Sequence, residues 1–320
     1  MVVPAPSELA RSEPRHISEV AAMADFKRRR SADIGGEILK GALIGAVVIA
    51  VAMVATVILS VVVDSSEVLS GQFWTFVSNP SSSDSSRAGV VQGIRGSLLL
   101  AAIVAVIAFP VGIGAALYLE EYAKDSRTTR FLEIMVRNLA GVPSIVYGLL
   151  GLAVFVQNLR GITGGSSVIS GGLTLAVLVL PIVIITATES IRAVPDSLRD
   201  GAYGLGATQW EVVKTQVIPM AMPGFLTGSM LSLARAIGEA APLLVVGAAA
   251  FYTTGFQGFV EQLSGAFTAL PMNVANFSKL PANEWAGHAA AAGVVILALV
   301  LVVNLVAIVA RARISRRLSR

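Results

Sequence analysis

The chain of 320 residues contains no cysteine, which excludes disulfides, thiol chemistry and cysteine-based metal sites. It also carries little charge: 14% of its residues are Asp, Glu, Lys or Arg, whereas soluble domains contain about a quarter. The sequence has only two histidines, and no Ser/His/Asp set or carboxylate cluster indicates catalysis or metal binding. It has no G-x4-G-K-[ST] segment, so the chain is not its own ATPase by the P-loop route, and no bound cofactor is expected.

What the sequence does contain is apolar residues in long runs. Hydrophobic residues make up 55% of the chain, and the mean hydropathy is +0.76. Six runs are long enough to cross a hydrocarbon core, which takes about 20 helical residues. Prolines at 143 and 181 predict kinks in the third and fourth spans. We therefore expect an all-α polytopic membrane protein with six transmembrane helices within residues 38–310, in the runs Gly41–Val63, Gly96–Leu119, Asn138–Leu159, Gly161–Thr188, Pro223–Gly247 and Ala289–Ala310.

The basic residues sort by side of the membrane. With six spans, almost all lysines and arginines fall in the segments on the side of the N-terminus, including the run Lys27–Arg30. The positive-inside rule then places both termini in the cytoplasm. Residues 1–37 are expected to be a disordered basic tail, and residues 311–320 a second basic tail. The pI near 9.6 is thus explained by topology, and we expect lipid rather than nucleic acid as a partner.

The cytoplasmic segment 190–222 is polar and lies between two apolar runs. From Asp200 to Pro219 it reads DGAYGLGATQWEVVKTQVIP, in which Gly204 and Gly206 permit a tight reversal between two short helices. We refer to the segment 190–222 as the elbow, and to its two short helices, before and after the reversal, as its first and second limbs. Small residues on it permit close approach of a partner. A plain connection packed on the membrane face is the other interpretation. An elbow on a chain without an ATPase site indicates a motor in another chain.

This segment resembles the EAA loop of ABC-importer permeases, E-A-A-x3-G-x9-I-x-L-P. Gln216 stands where the first isoleucine is expected and departs from the pattern. The resemblance implies that a separate ATPase subunit, which holds the ATP and Mg, docks on this loop. The residues that would form the docking surface are Asp200, Gly201, Ala202, Gly206, Trp210 and Pro219.

Two charges interrupt the fifth apolar run. Arg235 lies 12 residues past Pro223, about 18 Å into a core roughly 30 Å thick. A central arginine costs about 3 kcal/mol or more, and Glu239, four residues on, is placed to pair with it on one helical face. The pair is either a self-neutralised packing device or an anion site, because a guanidinium fork binds oxyanions with two parallel hydrogen bonds. Arg95, near the outer face, either helps to admit an anion or snorkels to the interface.

Two further segments resemble phosphate-specific ABC permeases. Residues 234–242, ARAIGEAAP, are similar to their A-R-A-x-G-E-[TA]-A-P, and residues 143–148, PSIVYG, to their P-S-[IV]-V-x-G. The likeness is to the PstA type more than to the PstC type. It implies a type I ABC-importer permease of the bacterial inner membrane, inorganic phosphate as cargo, a second permease of PstC type, an ATPase dimer and an external phosphate-binding protein. Two alternatives remain open, which are a permease for molybdate or sulfate and a stand-alone secondary transporter.

Overall fold

The structure is a computed structural model that describes residues 34–82, 84–249, 259–280 and 283–318. Regular secondary structure in these ranges is helical throughout, which confirms the all-α prediction. Turns of π-helix at Tyr118–Tyr122, Leu152–Asn158 and Val213–Val217 extend three of the helices. In chain order the α-helices are α1 Ile34–Asp64, α2 Ser66–Ser78, α3 Val91–Leu117, α4 Arg127–Ala140, α5 Ser144–Gly151, α6 Arg160–Thr163, α7 Val168–Arg192, α8 Asp196–Gly204, α9 Gln209–Val212, α10 Ile218–Gly238, α11 Ala241–Val246, α12 Phe259–Ser264, α13 Leu270–Phe277 and α14 Asn283–Leu318.

The two predicted tails meet the described residues only at their inner ends. Most of the basic tail at residues 1–37 lies outside the described residues, and helix α1 already begins at Ile34. At the other end α14 continues to Leu318, so most of segment 311–320 is helical. The membrane helices therefore run several residues further than the apolar runs alone indicate.

Among the described residues, five helical stretches are long and apolar enough to cross a membrane, and there are six if one bent helix pair is counted as a single span. This agrees with the six apolar runs of the sequence. The five stretches are Gly35–Asp64, Val91–Tyr122, Val168–Arg192, Gln209–Gly238 and Trp285–Arg313, and the bent pair is Arg127–Ala140 with Ser144–Asn158.

The described residues form two compact units, which are residues 34–60 and residues 61–318. In the first unit the apolar side chains of α1 are exposed on all sides, and Val47 and Ile49 are each 63% exposed. The 31-residue helix α1 is about 46 Å long at 1.5 Å per residue, which exceeds a hydrocarbon core. A helix that is apolar all round is stable in contact with lipid or other apolar helices.

The second unit is built on the packing of α3 against α7. Leu100 and Val104 of α3 and Val179 of α7 are almost fully buried in its core. A Cβ atom on Gly172 would lie 2.7 Å from the Ile103 side chain, so the close contact between the two helices requires glycine there. Membrane helices commonly associate through small residues of this kind, because small residues let the backbones approach.

The third span differs from the prediction of one kinked helix over Asn138–Leu159 in its bounds and in the sharpness of its bend. The chain instead forms the amphipathic helix α4 and then α5, which bends away by 102°. Pro143, with extended backbone (φ −56, ψ 136), begins α5 rather than kinking one continuous helix. A proline disfavours helical geometry in the residue before it, so the break falls at residues 141–143.

Two other span boundaries also differ from prediction. The fourth span begins at Val168 rather than Gly161, because Gly164 and Gly165 adopt positive φ angles of 82° and 91° that end the short helix α6. The fifth span begins at Gln209, and Pro223 lies inside it rather than at its start. Pro181 also lies within the unbroken α7. The π-helical turn Val213–Val217 ends two residues before Pro219, and such turns are one way in which a long helix accommodates a proline.

Candidate functional site

The first candidate site is a charged pair where α10 ends. Arg235 Nε lies 3.3 Å from a carboxylate oxygen of Glu239. Helix α10 stops at Gly238, and Glu239 has extended backbone (φ −82, ψ 116), so the pair spans the helix end. The prediction that both residues share one continuous helical face is wrong, although the pair itself forms. Gly238 is a poor helix former, and Pro242 in the first turn of α11 lacks the N–H that would continue α10.

Arg235 lies on a face of α10 that the other described residues leave open. Its side chain is 45% exposed and that of Glu239 20%. One and two turns earlier on the same face, Leu231 and Thr227 are exposed as well. Lipid is a poor environment for a guanidinium, since it costs about 3 kcal/mol or more. The open face of α10 therefore needs water, an anion or another protein surface against it.

The two segments with permease-like sequence meet in space. Helix α5, from the PSIVYG segment, packs on α11, which follows the charged pair. A Cβ atom on Gly148 would lie 2.8 Å from Pro242 Cα and 3.0 Å from the Val245 side chain. Glycine at position 148 is what allows this approach, so the bent third span rests directly on the segment that follows Glu239.

Tyr147 connects the bend to the charged pair. Its ring is buried with 6% exposure, and its hydroxyl donates a 2.8 Å hydrogen bond to the carbonyl of Leu139 in α4. This bond closes the 102° bend between α4 and α5. Tyr147 belongs to the same buried cluster as Ala236, the residue after Arg235. Sequence reasoning did not select Tyr147, and the only signal for it was an aromatic hydroxyl within the largely apolar PSIVYG segment.

Replacing Tyr147 with phenylalanine is expected to lower the free energy of unfolding by about 1 kcal/mol, since it removes one hydrogen bond, and the Leu139 carbonyl keeps only its backbone bond from the Val142 N–H. Thermal unfolding of the detergent-solubilised protein measures the loss. Tyr203→Phe is the matched control, because Tyr203 is exposed and exposed substitutions change stability by less than about 0.5 kcal/mol. Equal unfolding temperatures for the two variants would contradict a closing role for the Tyr147 hydroxyl.

Arg95 lies in the second turn of α3, which begins at Val91, and it is exposed. The two residues that follow it contact the beginning of α13 and the segment before it: Gly96 packs on the Thr268 carbonyl, and Ser97 Oγ accepts a 3.0 Å hydrogen bond from the Leu270 N–H. Ser97 also lines a small internal gap with Ala236, the residue after Arg235. The helices that carry Arg95 and Arg235 are thus in contact.

The second candidate site is the elbow. Helix α8 is followed by Gly206, whose positive φ of 85° reverses the chain. Thr208 then caps α9: its hydroxyl accepts from the Glu211 N–H, and the Glu211 carboxylate accepts from the Thr208 N–H at 2.7 Å. This capping box starts the second limb. The second limb is the beginning of the fifth span rather than the separate short helix that the sequence predicted.

The tip of the elbow presents apolar side chains to solvent. Leu205 is 92% exposed, Trp210 59% and Tyr203 44%. Sequence reasoning selected Trp210 but not Leu205 or Tyr203, because the family pattern marks small residues rather than the apolar ones beside them. Of the other residues assigned to this surface, Asp200, Gly201 and Gly206 are exposed, Ala202 is partly buried over the core, and Pro219 lies further along the helix and is partly buried.

Comparison with known proteins identifies the class. Residues 108–320 match the family described as "Binding-protein-dependent transport system inner membrane component", and the chain belongs to this family. It is therefore a multi-span transport subunit of an inner membrane. This confirms, at the level of the family, the resemblance drawn from the elbow and the charged segment.

Individual relatives are permeases of ABC transporters. The chain is 34% identical over 233 residues to phosphate transport system permease protein PstA 1 of Mycobacterium tuberculosis (strain CDC 1551 / Oshkosh), a match that covers 72% of each chain. It is 36% identical over 222 residues to PstA of Yersinia pestis, covering 68% of this chain and 71% of that one. It is also 36% identical over 169 residues to probable ABC transporter permease protein YqgI of Bacillus subtilis (strain 168), covering 53% of this chain and 56% of that one.

Solved structures agree on the fold. A bacterial alginate ABC transporter crystallised with its alginate-bound periplasmic protein contains a similar chain, with a TM-score of 0.62, 14% identity and coverage of 89% of this chain and 94% of that one. The MetNI methionine ABC transporter contains another, with a TM-score of 0.52, 18% identity and coverage of 72% and 96%. At such low identity the likeness establishes the type I ABC-importer permease fold alone.

Proposed function

We propose that this chain is a permease subunit of an ATP-driven importer of inorganic phosphate and forms half of its translocation pathway. The observation that carries the proposal is Arg235, which lies on an open face of a membrane helix and is paired with Glu239. The PstA relatives supply the cargo class.

The geometry of the pair suits a transient anion site. A guanidinium donates two parallel hydrogen bonds to a phosphate, and each is strengthened by charge. Glu239 binds the same guanidinium when no anion is present. It therefore competes with the phosphate for Arg235 and shortens the residence time of the phosphate at the site. Because 45% of the Arg235 side chain stays exposed, an anion can reach it without unfolding the helix end. Arg95, on the outer part of α3, belongs to the same proposed pathway as an entry residue.

The elbow is the proposed docking surface for an ATPase subunit, which binds the ATP and Mg. Leu205, Tyr203 and Trp210 form its apolar tip, and burying such side chains in a partner groove contributes about 1.5–3 kcal/mol each. Asp200, Gly201, Ala202 and Gly206 complete the surface, and Pro219 continues it into the fifth span. Two such ATPase subunits would serve this chain and a second permease of PstC type.

The remaining assignments concern the assembly. Both termini and the elbow lie in the cytoplasm, in accordance with the positive-inside rule. An external phosphate-binding protein delivers the anion to the opposite side. The second permease covers the open face of α10, so that the pathway forms between the two subunits.

Uptake of labelled phosphate into proteoliposomes that contain the full complex tests this function. We expect uptake that requires ATP and the binding protein, and that arsenate inhibits more strongly than sulfate or molybdate. Stronger inhibition by molybdate or sulfate would make this a permease for that oxyanion. Phosphate transport by this chain alone, without ATP, would reject the proposal in favour of a secondary transporter.

A further inference from the structure

The inner end of α3 carries two adjacent glutamates that are almost buried. They lie in the π-helical turn Tyr118–Tyr122, which follows α3. The side chains of Glu120 and Glu121 are 14% and 7% exposed. A carboxylate removed from water to this extent requires a partner, since an unpaired buried charge is strongly destabilising.

The partner of Glu121 is Arg199 of the elbow. Arg199 Nη2 donates to Glu121 Oε1 at 3.0 Å and to the Ile191 carbonyl, also at 3.0 Å. Its Nη1 donates to the Val194 carbonyl at 2.7 Å and to Asp196 Oδ1 at 2.9 Å. One guanidinium, 16% exposed, thus joins α8, the end of α7 and the end of α3, although Glu121 and Arg199 are 78 residues apart in sequence.

The second limb of the elbow is fixed to the same residue. The side-chain amide of Gln209, at the start of α9, donates to the main-chain carbonyl of Glu121. A companion pair lies alongside: Arg192 at the end of α7 contacts Glu120 at 2.7 Å and Glu133 of α4 at 3.3 Å. Both limbs of the elbow therefore converge on Glu121.

Burial separates this arrangement from an ordinary surface ion pair. Asp125 and Arg130, a few residues further along the chain, also form a 2.9 Å pair, but their side chains are 76% and 71% exposed. Exposed pairs contribute little, because water screens them and the side chains lose freedom. The Glu121–Arg199 contact is charge-assisted, largely desolvated and reinforced by two carbonyl acceptors, which makes it a rigid connection.

We propose that Glu121 is a positioning residue that fixes both limbs of the elbow to α3, so that the elbow and α3 move as one body. This extends the proposed function, because a docked ATPase is what would displace the elbow. A displacement of the elbow is then transmitted through α3 to Arg95 and Ser97, and through the fifth span to Arg235.

Distance measurements between two spin labels test this rigidity. This chain has no cysteine, so cysteines introduced at Ser197 on α8 and Val106 on α3, both exposed, are its only labelling sites, and the chain is labelled before it is assembled with its partners. In the intact complex we expect one narrow distance distribution that stays the same with and without ATP and vanadate. Glu121→Gln is expected to broaden the distribution in both states. A wild-type distance that shifts with nucleotide, or an unchanged distribution in Glu121→Gln, would overturn the proposal.

The coupling of ATP hydrolysis to phosphate transport gives a second readout. Glu121→Gln should raise the ATP hydrolysed per phosphate transported by about tenfold, as expected for loss of one charge-assisted hydrogen bond. Gln209→Ala, which removes only the contact of the second limb, should give a smaller rise, and Asp125→Asn, the exposed control, should leave the ratio unchanged. Equal ratios for Glu121→Gln and Asp125→Asn would count against a positioning role for Glu121. The distance experiment needs no phosphate, so an error in the cargo assignment would affect the uptake assays alone.

Discussion

Arg235→Ala is expected to reduce phosphate uptake by about 100-fold or more while the complex still assembles. The variant removes two charge-assisted hydrogen bonds to the anion, each contributing about 1.5–3 kcal/mol, and a factor of ten corresponds to about 1.4 kcal/mol. Uptake at saturating binding protein measures the effect, and copurification of the ATPase reports on assembly. Arg87→Ala is the matched control, since Arg87 is an exposed arginine in the loop between α2 and α3.

A double variant distinguishes the two interpretations of the Arg235–Glu239 pair, which are an anion-binding site and an ion pair that only fixes helix packing. Arg235→Ala alone leaves Glu239 without its cation, and an unpaired carboxylate destabilises the helix end by itself. In Arg235→Ala/Glu239→Ala that carboxylate is absent as well. If the pair only fixes packing, the double variant regains uptake. If Arg235 binds the anion, the double variant stays inactive, and Arg235→Lys, which keeps the charge but loses the fork, retains partial uptake.

Gly206→Val is the second change with a large expected effect, and it should uncouple ATP hydrolysis from transport. Position 206 has φ +85°, which costs an L-residue about 1–2 kcal/mol and a β-branched residue more. A Cβ there meets no atom within 4 Å, so the change acts by distorting the reversal and obstructing the docking surface rather than through a clash within the chain. We expect uptake to fall about tenfold or more while basal ATP hydrolysis continues.

Gly161→Val is a suitable control for that variant. Gly161 lies in α6 on the predicted outer side, its Cβ also meets nothing within 4 Å, and its φ is not positive. In Gly161→Val the ratio of ATP hydrolysed to phosphate imported should match that of the wild-type protein. A normal ratio in Gly206→Val, with an intact complex, would show that the ATPase does not dock on the elbow.

The sequence was sufficient for the class and for most of the architecture. Hydrophobic runs of about 20 residues predict membrane helices because the bilayer requires them, and the elbow was recognisable from its polar composition and its glycines. The helix boundaries near Pro143 and Pro223 were not recoverable. Proline permits a break, a kink or a π-helical turn, and the choice among these depends on contacts with other helices.

The details of both sites also depend on contacts that are distant in sequence. The Arg235–Glu239 pair was predicted because its members are four residues apart, but the helix end between them was not. Tyr147 was not selected because its hydrogen bond to Leu139 follows from the bend. The Glu121–Arg199 contact joins residues 78 positions apart, and no local pattern indicates which acidic residue a given arginine will meet.

The central claim is that the face of α10 that carries Arg235 lines a water-filled anion pathway. Reactivity of Leu231→Cys in the assembled complex tests it most directly, because Leu231 lies one turn before Arg235 and is 64% exposed, and the chain has no other cysteine. We predict rapid reaction with a charged, water-soluble thiol reagent and slower reaction when phosphate is being transported. Val54→Cys, on the apolar surface of α1, should not react. A Leu231→Cys variant that resists the reagent, or that reacts at the same rate with and without phosphate, would contradict the account.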